Sequence, residues 1–93
     1  MENTTALKGL SLIRQQIHEY IVMNFLFDGA STPFDDDTPL VERNIVDETG
    51  VLELALFIEE TYGVQVDAAD ATPENFDTVN AIANYVYHLL ANS

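Results

Sequence analysis

From Leu7 onward the apolar residues Leu10, Ile13, Ile17, Tyr20 and Ile21 return every three or four positions, and Lys8, Arg14, Gln15, Gln16 and Glu19 fill the places between them. That period marks an amphipathic helix with one face toward a core and the other toward water. The pattern predicts a first helix from about Thr5 to Phe27, closed by Gly29, which reaches the left-handed backbone of a helix end without steric cost. Between Asp28 and Asp47 the period is broken by Gly29, Pro33, Pro39 and the run Asp35-Asp36-Asp37, so a long loop is expected. Loops of that length are functional or mobile unless something ties them down, and Phe34, Leu40 and Ile45 are expected to turn inward as tethers.

A second helix is predicted over Thr49 to Tyr62, with Val51, Leu54, Ala55, Ile58 and Tyr62 on one stripe, Glu53, Glu59 and Glu60 elsewhere, and Gly63 as the stop. Leu52, Leu56 and Phe57 do not all fit that stripe; they leave apolar surface at the helix edge, line a cavity, or widen the buried face. Val64-Gln65-Val66 reads as a short extended piece. Thr72-Pro73-Glu74 then supplies a cap, a helix-compatible proline and an acidic first turn for a short third helix ending by Phe76. Asp77 is expected to cap a last helix whose buried stripe is Val79, Ile82, Val86, Leu89 and Leu90. No repeat, linker or low-complexity tract divides the chain, so the expectation is all-α: a four-helix bundle of three longer helices and one short one, in a single domain over residues 1–93.

Composition sharpens this picture. The 93 residues are 47% apolar, enough to fold despite a formal charge of −13. A chain this short buries only about 60 to 65% of its unfolded surface, which leaves no room for a deep catalytic cleft. Residues 44 to 93 hold Asp47, Glu48, Glu53, Glu59, Glu60, Asp67, Asp70, Glu74 and Asp77 with no Lys or Arg. Such a field repels phosphate backbones and anionic headgroups, which argues against nucleic-acid and membrane partners and for basic surfaces or divalent cations. The absence of Cys permits a reducing compartment. No secretory leader is visible, and Ile21-Val22-Met23 and Phe25-Leu26-Phe27 are far too short to span a bilayer, so a cytoplasmic monomer is expected.

Little in the chain suggests catalysis. His18 and His88 stand apart on different helices, in neither case in a zinc-helix pattern, and read as ordinary surface or edge histidines. Asp35-Asp36-Asp37 lacks the alternating ligands, glycine and closing glutamate of a calcium loop and reads as a solvated acidic loop. Ser11, Ser31 and Ser93 sit in no nucleophile motif and no phosphate-cradling glycine loop occurs, so no enzyme and no metal site are expected. Glu53 and Glu60 share a helix face with Glu59 beside them. A solvated face is the ordinary reading, but the lack of any local counter-charge points to docking of Lys or Arg from a partner.

Taken together, Asn24-Phe25-Leu26-Phe27, the long loop with Leu40, the segment Val46-Asp47-Glu48-Thr49-Gly50-Val51-Leu52-Glu53-Leu54, Ile58-Glu59-Glu60-Thr61-Tyr62-Gly63-Val64 and Pro73-Glu74-Asn75-Phe76-Asp77 make the whole chain resemble the acyl carrier protein family. The resemblance implies a four-helix carrier fold that presents thioester-bound acyl groups to partner enzymes of lipid, polyketide or related biosynthesis. In that family an Asp-Ser pair opens the second helix and the serine is esterified with 4'-phosphopantetheine. Here Asp47 holds the aspartate position and Glu48 the serine position, so no hydroxyl is offered there and the arm is expected to be absent. Thr49 has a hydroxyl, but it lies about 100° round the helix and reads as a helix-start residue satisfying a backbone amide. Asn44 replaces a frequent glycine of the family's loop, a mild change because Asn tolerates left-handed backbone.

Glu48 fits a paralogue that kept the fold and lost the arm, and equally a replacement of serine by a residue imitating its phosphate. By this resemblance Asp47, Val51, Leu52, Glu53, Glu59 and Glu60 would face basic surfaces of carrier-dependent enzymes and of a phosphopantetheinyl transferase. The alternative is an arm-less regulatory module that occupies such enzymes without delivering cargo.

Overall fold

The computed structural model describes residues 2–25 and 34–92. Within them the chain forms four α-helices, α1 (Glu2–Phe25), α2 (Glu48–Tyr62), α3 (Pro73–Phe76) and α4 (Val79–Ala91), with a single 3₁₀ turn at Ala68–Asp70 and no strand among the described residues. The expected all-α architecture is thus present. Its first helix starts before Thr5, at Glu2, where the sequence Glu2-Asn3-Thr4 has no apolar residue and periodicity carries no signal; Leu26, Phe27, Gly29 and Pro33 lie outside the described residues.

Isoleucines at one-turn intervals, Ile13, Ile17 and Ile21, bring the buried stripe of α1 against α4, where Val79, Ile82, Ala83 and Val86 face them. Val51, Leu54 and Ile58 of α2 and Phe76 of α3 complete the core. The expected α4 stripe is corrected at its end: Leu90 is exposed and Leu89 half-buried, because α4 outruns the core there, and Ala83, not foreseen in the stripe, is fully buried.

The long loop is held from three sides. Leu40 is fully buried; its N–H donates to the Asp77 carbonyl at 2.6 Å, and its own carbonyl accepts from the N–H groups of Ile45 and Val46 at 2.9 and 3.1 Å. Val46, not foreseen as a tether, is fully buried beside Leu40 and Ile45. The turn that allows this closes at Asn44, whose φ of 60° is the left-handed conformation that Asn accepts. The acidic run is not merely solvated. Asp35 accepts from the Asp37 N–H and the Thr38 hydroxyl, bonds that hold its carboxyl below the usual range. Asp36 lies 3.9 Å from Arg14 Nε and 3.8 Å from His18 Nδ1, and Asp37 accepts from the Asn80 side chain at 2.7 Å. His18 also stacks on Phe34, with ring centroids 4.3 Å apart, so it is a packed helix residue rather than a free surface one.

Two expected caps are reassigned. Thr78, not Asp77, caps α4 by accepting from the Ala81 N–H; Asp77 instead accepts from the Val41 N–H at 3.3 Å and so serves the loop. Thr72 precedes α3 without a side-chain capping bond. The 3₁₀ turn, also unforeseen, is capped by Asp67, and its Asp70 accepts from the Tyr85 hydroxyl at 2.8 Å; burial first, and then this bond, pushes that phenol up to about 12.

If Leu40 pins the loop, Leu40→Ala should cost about 2 to 5 kcal/mol of stability in urea unfolding. A loss below about 1 kcal/mol would mean that the backbone bonds alone hold the loop.

Candidate functional site

The site begins where the loop becomes α2. Asp47 has extended backbone, and its carboxylate accepts from the Gly50 N–H at 2.7 Å while its carbonyl accepts from the Val51 N–H at 2.9 Å. Asp47 is therefore the residue that satisfies the first amides of the helix, the role expected of Thr49. Glu48 is then the first helical residue, where a negative side chain is favoured by the helix dipole, and both Glu48 and Thr49 are exposed. Gly50 is fixed by packing: a Cβ there would come within 2.8 Å of both the Phe25 ring and the Val46 side chain.

The two neighbours Glu48 and Thr49 open on different sides of α2. Glu48 borders an apolar groove of about 340 Å³ formed with Val41, Val51, Leu52, Ala71 and Thr72. Thr49 borders a groove of mixed polar and apolar lining, about 260 Å³, formed with Phe25, Asn44, Ile45, Asp47, Gly50 and Glu53. A rotation of about 100° between successive helical residues separates them.

Along the rest of α2 the expected docking residues divide. Val51 is only 5% exposed and belongs to the core, so it cannot meet a partner directly. Leu52 is 59% exposed, and Leu56, one turn on, is 58% exposed; the bland expectation that both simply widen the buried face is corrected. Glu53 and Glu60 are exposed on the side toward α1, where both raise the pKa of Tyr20 after burial has already done so. Glu59 is engaged within the fold: its Oε2 accepts from the Val66 N–H at 2.8 Å and fixes the segment that leaves α2. That segment, Val64–Val66, is coil, not strand. Gly63 closes α2 with φ 67°, as expected.

Leu56 was expected, with Leu52 and Phe57, among the residues off the buried stripe, but it was not counted with the docking residues, although its spacing of one turn from Leu52 was the available signal. Sequence reasoning also missed the meeting of Tyr20 and Phe57, whose rings stack with centroids 4.1 Å apart. Among the described residues no cluster of His, Asp and Glu is arranged to hold a metal ion, and no helix is long and apolar enough to cross a membrane.

No family model matches the sequence. A probable acyl carrier protein, PigG, of Serratia sp. (strain ATCC 39006) is 31% identical over 81 residues, which are 87% of this chain and 92% of that protein. The chain belongs to the acyl carrier protein family. It is not an enzyme but a member of a family of carriers, whose members hold biosynthetic intermediates on 4'-phosphopantetheine. The fit of that group to this chain can be read from the chemistry of α2's first turn. Attachment is a phosphodiester to a hydroxyl, and the Glu48 side chain ends in a carboxylate, so position 48 does not fit the arm. Thr49 offers the nearest hydroxyl on the helix, on the other groove.

Because Glu59 supports the backbone and Glu60 does not, Glu59→Ala should lower stability by about 1 to 1.5 kcal/mol, and Glu60→Ala should stay within about 0.5 kcal/mol of the parent. Thermal melts of both variants check this; equal effects would remove the structural role of the Val66 contact.

Proposed function

We propose that this chain docks on carrier-dependent enzymes through the outward face of α2, and that in the form written here it does so without a phosphopantetheine arm at position 48. The observation that carries the reading is the pair Leu52 and Leu56, each more than half exposed on a helix flanked by Glu48, Glu53 and Glu60. Leaving two leucines in water forgoes burial worth about 25 cal/mol per Å². Apolar residues rimmed by one sign of charge form a recognition surface, in which the charges steer an oppositely charged partner and the apolar centre holds it. Nothing on α2 supplies a counter-charge, since it contains no Lys or Arg.

In this reading the residues have separate roles. Leu52 and Leu56 are the apolar contact, Glu48, Glu53 and Glu60 the charged rim, and Asp47 and Glu59 hold the helix ends in place through their backbone bonds. The partners are basic surfaces of carrier-dependent enzymes, including a phosphopantetheinyl transferase, and the chain acts as one monomeric domain. Presenting acyl thioesters in lipid or polyketide synthesis is then the task of a Glu48→Ser form, in which the hydroxyl would open on the apolar groove beside Val41 and Leu52. The unaltered chain would occupy such enzymes without delivering cargo.

Intact mass after incubation with coenzyme A and a broad-specificity phosphopantetheinyl transferase tests the arm: no gain is expected on the chain itself and one phosphopantetheine on Glu48→Ser. A gain on the unaltered chain that disappears in Thr49→Val would overturn the arm-less reading in favour of Thr49. For the docking face, Glu53→Lys combined with Glu60→Lys should weaken binding to the same transferase at least about tenfold, and unchanged binding would count against it.

A further inference from the structure

Beside the docking face, α1 and α2 form a third groove, of about 290 Å³, with Tyr20 and Phe57 among its lining residues. Tyr20 and Phe57 stack there at 23° between ring planes, Phe25 meets Tyr20 edge-on, and Tyr62 meets Phe57 edge-on. The Tyr62 hydroxyl donates to Gln16 Oε1 at 2.7 Å, which locks the far end of α2 to α1 and keeps the groove's walls apart at a fixed spacing. Met23, 73% exposed, stands at its rim. Glu19 lines it, and no Lys or Arg is among the residues that do.

We propose that this groove is a receptor for an arginine side chain of a basic partner protein, the guanidinium lying against the Tyr20–Phe57 pair and its N–H groups reaching Glu19, the one carboxylate among the groove's lining residues. The occupant follows from charge complementarity joined to an aromatic lining. A carboxylate cluster alone would attract any cation, lysine as readily as arginine. A guanidinium differs from an ammonium in being planar and weakly hydrated, so it lies flat on an aromatic ring and still donates sideways to carboxylates. Glu53 and Glu60 are near enough to the rings to raise the Tyr20 phenol, second and third to the effect of burial, which puts both carboxylates within electrical reach of a cation seated there. The thioether of Met23 adds an adaptable wall, as methionines do at surfaces that accept varied partners.

The groove lies on the α1 flank of α2, whereas Glu48 and Leu52 border the opposite groove. A partner resting on Leu52 and Leu56 could therefore place one arginine over this edge, making a second contact that the charge of the docking face alone does not provide. The inference rests on the reading that this carrier's partners are basic, but it fails separately: the transferase assay reports on Glu48 and the outward face, whereas ring contact is read without any enzyme.

The test is a titration of the full chain with octa-arginine and, separately, octa-lysine, followed by nuclear magnetic resonance of the aromatic side chains. Octa-arginine should bind about fivefold more tightly than octa-lysine, a margin of the size that guanidinium stacking supplies. It should also shift the Tyr20 and Phe57 ring signals, and the preference should fall to parity in Tyr20→Leu and in Phe57→Leu while surviving in Leu52→Ser. Equal affinity for the two peptides, or ring signals that stay still while those of Leu52 and Leu56 move, would overturn the proposal. Where a ring variant fails to fold by circular dichroism, the ring shifts of the parent chain decide the matter.

Discussion

The placement of Leu40 is the constraint on which the rest depends. One buried side chain draws the loop between α1 and α2 into the core, and its two backbone groups bind Asp77 on one side and Ile45 and Val46 on the other. The start of α2 is thereby fixed relative to α3 and α4 before any contact of α2 itself is counted. Asp47 then caps the helix from a position that Leu40 has already set. In a domain with so small a core, a loop left free would forfeit a large share of the available burial.

The acidic loop shows how a charge excess can be organised. Each of the three consecutive aspartates has a different structural partner: its own turn for Asp35, Arg14 and His18 for Asp36, and Asn80 for Asp37. By contrast the carboxylates Glu53 and Glu60 on α2 face water without a cation in the helix. The molecule satisfies its negative charge where it needs rigidity and leaves it unsatisfied on the face read as docking.

Much of this was legible in the sequence, for physical reasons that differ by element. The isoleucines of α1 and the stripe of α2 declared their helices because a buried face imposes a period of about 3.6 residues. Gly63 declared the end of α2 because few other residues accept its backbone. The family was legible from segments spread over the whole chain, and Glu48 stood out against them. What could not be read depended on partners distant in sequence. Asp77 looked like a cap because Asp precedes helices so often, yet its carboxylate serves Val41. Val51 looked like a neighbour of the docking face because it adjoins Leu52, yet adjacent helical residues point about 100° apart. Tyr20 and Phe57 belong to different helices, and no local pattern announces that their rings will meet.

The pairing of Arg14 with Asp36 carries a consequence for how the molecule responds to its ionic surroundings. Salt screens exposed charges over a Debye length of about 10 Å at 0.1 M. It therefore loosens this half-exposed clamp on the loop, and by the same screening it relieves the mutual repulsion along α2. The two ends of the loop respond in opposite senses: dissolved ions slacken its attachment to α1 and quieten the helix it leads into.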